Sequence, residues 1–176
     1  MANGSATGGP TGPKSARRRQ ASCYSRGMKR IQQVLVATDF SEIATRALDE
    51  AVDLAEQLGA KVTLVHSYEI PIYGFPDGIL VATSDVVAGL MRAGQTGLEA
   101  AIEKRKDRKV EITPVLRDGT PWEEVNKVAE DVKADVIVVG THGRRGLARA
   151  LLGSVAERIL RTATRPVLVV HGGSDH

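Results

Sequence analysis

A doubly wound, Rossmann-like α/β domain is the fold class this 176-residue chain predicts, with five parallel strands in the order 3-2-1-4-5 and helices on both faces. Three observations carry the prediction. From Ile31 onward, short β-branched runs alternate with segments of helical period, the pattern of βαβ units around a parallel sheet. Helix-start and helix-stop residues fall between those runs, where the crossovers need them. Apolar residues make up 42% and charged residues 26% of the chain, an ordinary globular balance that argues against a wholly disordered protein.

The first strand is expected over residues 31–37 (IQQVLVA). Ser41 follows as an N-cap, and Ala44, Leu48, Ala51, Ala55 and Leu58 then draw one apolar stripe at helical spacing. Gly59 sits where a C′ glycine belongs. Residues 61–67 (KVTLVHS) make the second strand, and His66 reads there as a packed, hydrogen-bonded residue. Residues 68–82 contain Pro71, Gly74, Pro76 and Gly78 and read as a long loop. A helix over 84–107 is expected to be frayed or broken near its start, because Gly89, Gly94 and Gly97 each cost about 1 kcal/mol relative to Ala. The third strand follows at 110–116. Thr120, Pro121 and Glu123 then read as N-cap, N1 and N3 of a capping box, opening a helix that runs to about Lys133, with Trp122 as a packing residue. Residues 134–140 (ADVIVVG) are the fourth strand, 153–163 the last helix and 166–171 the fifth strand. The apolar centre of that strand, Val167–Val170, lies at the predicted sheet edge, where an exposed strand invites pairing.

The formal net charge of +3 conceals an asymmetry. Residues 1–30 hold seven basic groups and no acid, whereas 31–176 hold 17 basic and 21 acidic groups. The extreme N-terminus is mostly Gly, Pro, Ser, Thr, Ala and Asn, a composition that cannot bury enough surface to offset chain entropy. Residues 1–28 are therefore expected to be a disordered basic extension, 29–172 the folded domain and 173–176 a short tail. Nucleic acid is not an expected partner; any contact with it would fall to Arg17, Arg18 and Arg19. No run approaches the roughly 20 apolar residues of a membrane span. Cys23 is the lone cysteine, so a disulfide scaffold is excluded and a reducing, cytoplasmic setting is expected.

In a sheet wound this way, ligands bind outside the carboxyl ends of the strands at the switch point. Those ends carry Ala37-Thr38-Asp39 and Gly140-Thr141-His142-Gly143. From Gly140 to Ser154 the chain has four glycines, three arginines and a histidine between a buried strand and a helix start. Glycines admit close approach of a ligand to backbone amides. Gly153-Ser154 opens the last helix, so unpaired N–H groups and the positive end of its dipole face the crevice, an arrangement suited to phosphate. On residue types alone, a glycine-rich turn with solvated arginines is also open. So are two uses of Asp39, as a site residue or as support for its helix N-terminus. The glycine spacing is neither the dinucleotide fingerprint nor a P-loop.

Gly140-x2-Gly143-x9-Gly153-Ser154 resembles the nucleotide motif of the universal stress protein family, in its ATP-binding branch. Val34-Leu35-Val36-Ala37-Thr38-Asp39-Phe40-Ser41, Gly119-Thr120-Pro121 and Arg165-Pro166-Val167-Leu168-Val169-Val170 are similar to other segments of that family, so the resemblance spans residues 29–172. It implies ATP, with Mg²⁺, in the switch-point crevice. Asp39 would lie near the adenine with Ala37 and Thr38, and Ser67 would offer a backbone edge to the base. Ser67 stands where the family often has an apolar residue. Val139 and Gly140 would line base and ribose. His142 and Gly143, then Gly153, Ser154, Val155 and Ala156, would hold ribose and phosphates; apart from the resemblance, Arg145 is a candidate phosphate clamp by its guanidinium chemistry. The resemblance also implies a homodimer formed through the fifth strand.

Two functions use such a crevice. One is a nucleotide-responsive regulatory module with at most slow hydrolysis; the other is an ATPase or adenylyl-transfer enzyme. Catalysis would need a base beside the phosphates and usually a metal-holding carboxylate. Residues 140–154 contain no Asp or Glu, and His142 is their one titratable base. No residue is therefore assigned a catalytic or metal-ligating role, and binding is the expected function. An adaptor domain that has lost its ligand is a third class, which the intact glycines disfavour.

Overall fold

The computed structural model describes residues 30–75, 78–141 and 152–171, with backbone alone for 72–75 and 78–81. The expected basic extension, the final residues and the greater part of the glycine loop lie outside the described residues. Strand β1 (Gln33–Ala37) leads into helix α1 (Glu42–Leu58), followed by β2 (Lys61–Tyr68). Next come β3 (Ile72–Phe75), β4 (Gly78–Val81) and α2 (Ser84–Glu103). Strand β5 (Ile112–Asp118), α3 (Pro121–Asp131), β6 (Val136–Gly140), α4 (Ser154–Thr162) and β7 (Val167–Val170) complete the order. Five parallel strands align as β5-β2-β1-β6-β7, the expected 3-2-1-4-5 winding once the β3–β4 pair is set aside.

Strict alternation along the strands builds two cores. Val34, Val36, Val62, Leu64, Val136 and Val138 face α1 and α2, meeting Leu48, Val52 and Leu98. Their neighbours Leu35, Val65, Ile137 and Val139 face α3 and α4, meeting Val125, Val128 and Ile159. Helix α1 forms as expected. Ser41 Oγ accepts the Ala44 N–H (3.2 Å), and Gly59 closes the helix in the left-handed region at φ 64°.

Three expectations are corrected. Residues 68–82 are not a loop throughout: Tyr68 ends β2, and β3 and β4 pair antiparallel with Ile72 opposite Val81 and Phe75 opposite Gly78. The prolines and glycines masked flanking runs of β-branched and aromatic residues. A two-stranded ribbon tolerates such residues because half its backbone groups face outward. Helix α2 is unbroken and stops at Glu103. Its glycines are where the helix comes down onto its neighbours: a Cβ on Gly94 would lie 2.6 Å from Leu116 Cδ1, and one on Gly97 2.6 Å from the Phe40 ring. Close packing thus outweighs their propensity cost. The capping box is not closed, because Thr120 makes no side-chain cap bond; its carbonyl instead accepts from Glu123 and Glu124 N–H, each at 3.0 Å.

Strand limits shift for identifiable reasons. Ala134 and Asp135 precede β6: the Ala134 N–H donates back to the Ala129 carbonyl of α3 (2.8 Å), and the Asp135 carboxylate accepts the Gln32 and Gln33 N–H groups at 2.9 and 3.1 Å, fastening the start of β1. Strand β5 begins two residues later than expected, at Ile112, and admits Pro114 because it is an edge strand. Trp122 packs against the α3–α4 core, with the Arg158 guanidinium 5.5 Å from its ring centroid. Among the described residues, no helix is long and apolar enough to cross a membrane.

Candidate functional site

The register of β1 against β6 sets Val36 opposite Val138, so Ala37, Thr38 and Asp39 leave the sheet beside Val139, Gly140 and Thr141. This is the expected switch point. Gly140 is required there by close approach: a Cβ would lie 2.7 Å from Ile43 Cγ2 and 3.2 Å from the Ile43 carbonyl carbon. The first turn of α1 therefore closes directly over the end of β6.

Thr141 fastens the other side of the crevice. It is buried, its N–H donates to the Val170 carbonyl (2.9 Å), and its carbonyl accepts the Gly153 N–H (2.5 Å). The two ends of the glycine loop are thereby joined directly, and α4 starts beside the end of β6. Gly153 is the N-cap, and the first bond of the helix runs from the Glu157 N–H to the Gly153 carbonyl (2.8 Å). The N–H groups of Ser154, Val155 and Ala156 precede that bond and point out of the N-terminal end, where the dipole favours an anion. Ala156 also buries its methyl in the α3–α4 core, whereas Val155 is exposed. His142, Gly143 and Arg145 lie outside the described residues.

The opposite lip is the turn from Thr38 to Ser41. Thr38 Oγ1 accepts the Phe40 N–H (3.0 Å), and Asp39 Oδ1 accepts the Ser41 N–H (3.0 Å). Asp39 thus performs the supporting role open to it from sequence while standing at the crevice. Phe40 is left-handed at φ 63°, a conformation that costs a bulky residue on the order of 1–3 kcal/mol and persists only where its surroundings hold it. Ser67 is inside β2, opposite Arg117 of β5, and the strand runs one residue further than expected, to Tyr68. The Val65 carbonyl accepts the Thr38 N–H, and the Tyr68 carbonyl accepts the Gly119 N–H on the other side. Backbone groups alternate along a strand. The Ser67 main chain therefore turns toward the β1 side, where the chain has already left the sheet.

Sequence reasoning missed Thr141, Ile43 and Phe40. Thr141 could have been found from its place inside the glycine motif. Ile43 is seen through Gly140, and Phe40 has no local signal, because phenylalanine is not a residue of left-handed turns. Among the described residues, no group of three or more His, Cys, Asp or Glu could hold a metal ion.

A doubly wound parallel sheet whose switch point is bordered by an acidic turn and a helix N-terminus defines a class of ligand-binding α/β domains. Within that class the chain belongs to the universal stress protein family, whose defining pattern matches residues 30–171. It is 35% identical to the universal stress protein MJ0531 of Methanocaldococcus jannaschii over 141 residues, 79% of this chain and 81% of the relative. It is 30% identical to YxiE of Bacillus subtilis over 147 residues, 78% of this chain and 97% of the relative. The solved structure of MJ0577, from Methanocaldococcus jannaschii, superposes with a TM-score of 0.69 at 25% identity, over 84% of this chain and 100% of that one. A universal stress protein solved in complex with cAMP superposes with a TM-score of 0.63 at 28% identity, over 82% of this chain and 100% of that one.

Proposed function

We propose that this protein binds an adenine nucleotide, ATP with Mg²⁺, at the switch point and acts as a nucleotide-responsive regulatory module with at most slow hydrolysis. The observation that carries the reading is the Gly153 N–H bond to the Thr141 carbonyl, which sets the amide donors of α4 beside the end of β6. Three outward amides at a helix start suit phosphate. The cAMP complex of a related universal stress protein supports an adenine nucleotide as the ligand class. In this reading Ala37, Thr38 and Asp39 border the base, and the Ser67 main chain contacts its edge. Val139 and Gly140 line base and ribose. Ser154, Val155 and Ala156 hold phosphate oxygens together with His142, Gly143 and Arg145, and Gly153, its N–H spent on Thr141, sets the start of their helix. Mg²⁺ enters with the triphosphate and is held mostly by phosphate oxygens and water.

Two copies pair through β7 in this reading. That strand is at the sheet edge, and Leu168 on it and Leu160 on α4 are exposed. The lone Cys23 fits a reducing cytoplasm. Residues 1–28, basic and without acid, are dispensable for binding in this reading. Nucleotide-dependent melting tests the central part. ATP–Mg²⁺ at about 100 times its dissociation constant raises stability by roughly 2.7 kcal/mol. No shift in melting with ATP–Mg²⁺, in a protein that melts cooperatively, would sink the reading.

A further inference from the structure

We propose that His66 is a positioning residue that sets the acidic turn, and through it the base end of the nucleotide site; the inference rests on the nucleotide reading above. His66 Nδ1 lies 2.8 Å from the Thr38 carbonyl oxygen. A carbonyl can only accept, so Nδ1 carries the proton and donates it. The same imidazole packs on Phe40, with ring centroids 4.4 Å apart and planes tilted by 42°. One side chain from β2 therefore touches the turn at both residues that flank Asp39.

That double contact answers a need. The bonds within the turn run from each residue to its second neighbour, from Phe40 N–H to Thr38 and from Ser41 N–H to Asp39, and local bonds of this kind fit several backbone conformations. Phe40 nonetheless occupies the left-handed region. Its ring lies between the His66 imidazole and the bare backbone of α2 at Gly97, where a Cβ would come within 2.6 to 2.9 Å of it. Gly94 gives the imidazole the same room, since a Cβ there would lie 3.2 Å from His66 Cδ2. The glycines of α2 thus clear a slot, His66 and Phe40 fill it, and Asp39 is aimed by neighbours that are held from outside the turn. Because the phosphate end is built separately on Thr141 and α4, His66 acts on the base and ribose end alone.

The test uses the full chain and three variants. His66→Leu removes the donor, His66→Asn places an amide N–H where Nδ1–H stood, and Gly97→Ala crowds Phe40 while leaving His66 intact. Amide exchange of Phe40 and Ser41 is measured without ligand, and adenosine, ATP–Mg²⁺ and inorganic tripolyphosphate are titrated calorimetrically. His66→Leu and Gly97→Ala are expected to speed exchange at both amides. They should weaken adenosine and ATP by the same factor, about tenfold, and leave tripolyphosphate unchanged; His66→Asn, which returns the donor without the ring, recovers part of both readouts. An equal loss of tripolyphosphate binding overturns the inference, as does unchanged affinity with altered exchange, or altered affinity with unchanged exchange. If the unaltered protein binds neither adenosine nor ATP, the nucleotide reading fails, and the exchange measurement by itself decides whether His66 sets the turn.

Discussion

The two faces of the sheet are held by different means. On the α1–α2 face, charged side chains brace the helices. Arg105 is buried, and its guanidinium meets Asp49 (2.6 Å) and the carbonyls of Ala101 (2.7 Å) and Thr45 (3.3 Å). Arg108 pairs with Asp53 and with Glu56 (2.8 Å). On the α3–α4 face the cross-contacts among the described residues are lighter: the Arg158–Trp122 stack, a hydrogen bond from Asn126 to Thr162 (2.8 Å) and an exposed ion pair from Arg117 of β5 to Asp131 of α3 (3.0 Å). The braced face carries the strained turn at Phe40, and the lighter face carries the helix start proposed to receive phosphate. Strain needs rigid surroundings to persist, whereas a helix N-terminus offers its donors without any.

The largest expected effect falls on the braced face. Arg105→Met keeps the aliphatic packing but strips two carbonyls and Asp49 of their donor, at a cost of about 2–3 kcal/mol. A shift in urea midpoint with unchanged slope checks it. A shift no larger than that of Arg158→Ala would remove the contrast between the faces. Next comes acid. The Arg108 side chain, and then the Lys109 N–H (2.8 Å), hold the Glu56 carboxyl down to about 2 from its ordinary 4.5. A depressed carboxyl contributes stability that is complete above its unfolded value and is lost as pH falls toward 2. Glu56→Gln should therefore destabilise at pH 7 and flatten the stability profile between about pH 4.5 and 2; because the group is exposed, the effect shrinks in high salt. Smallest is Arg158→Ala on the lighter face, about 0.5–1 kcal/mol by thermal melting, the value of an exposed cation–π contact.

The sheet order, Ser41 and Gly59 were legible because each follows from a local period or a single special residue. Other features depend on elements meeting in space. The unbroken α2 is unreadable from its own window, since Gly94 and Gly97 look like helix breakers until Leu116 and Phe40 are beneath them. Likewise, nothing near Phe40 in sequence predicts its left-handed backbone, which depends on a histidine in β2 and a glycine in α2. Gly140 reads as part of a phosphate motif, yet its immediate duty is to admit Ile43. The positions of Asp39, Gly153 and Ser154 were legible from the winding and the helix start. His142, Gly143 and Arg145 lie outside the described residues, so their part rests on the motif alone.

One measurement reaches the central claim, that the first turn of α4 receives the phosphates. Gly153 is extended at φ −61° and ψ 148°, a conformation compatible with a following proline. Ser154→Pro is thus tolerated at the first helical position while deleting one amide donor, and Ser154→Ala keeps that donor and loses the hydroxyl. Calorimetric titration with ATP–Mg²⁺ should show saturable binding to the unaltered chain. Affinity should fall by about tenfold in Ser154→Pro, the value of one hydrogen bond to a charged group, and by less in Ser154→Ala, with the ligand-free melting temperature little changed in both. Equal affinity in all three proteins, or no heat of binding in the unaltered chain, would contradict the account.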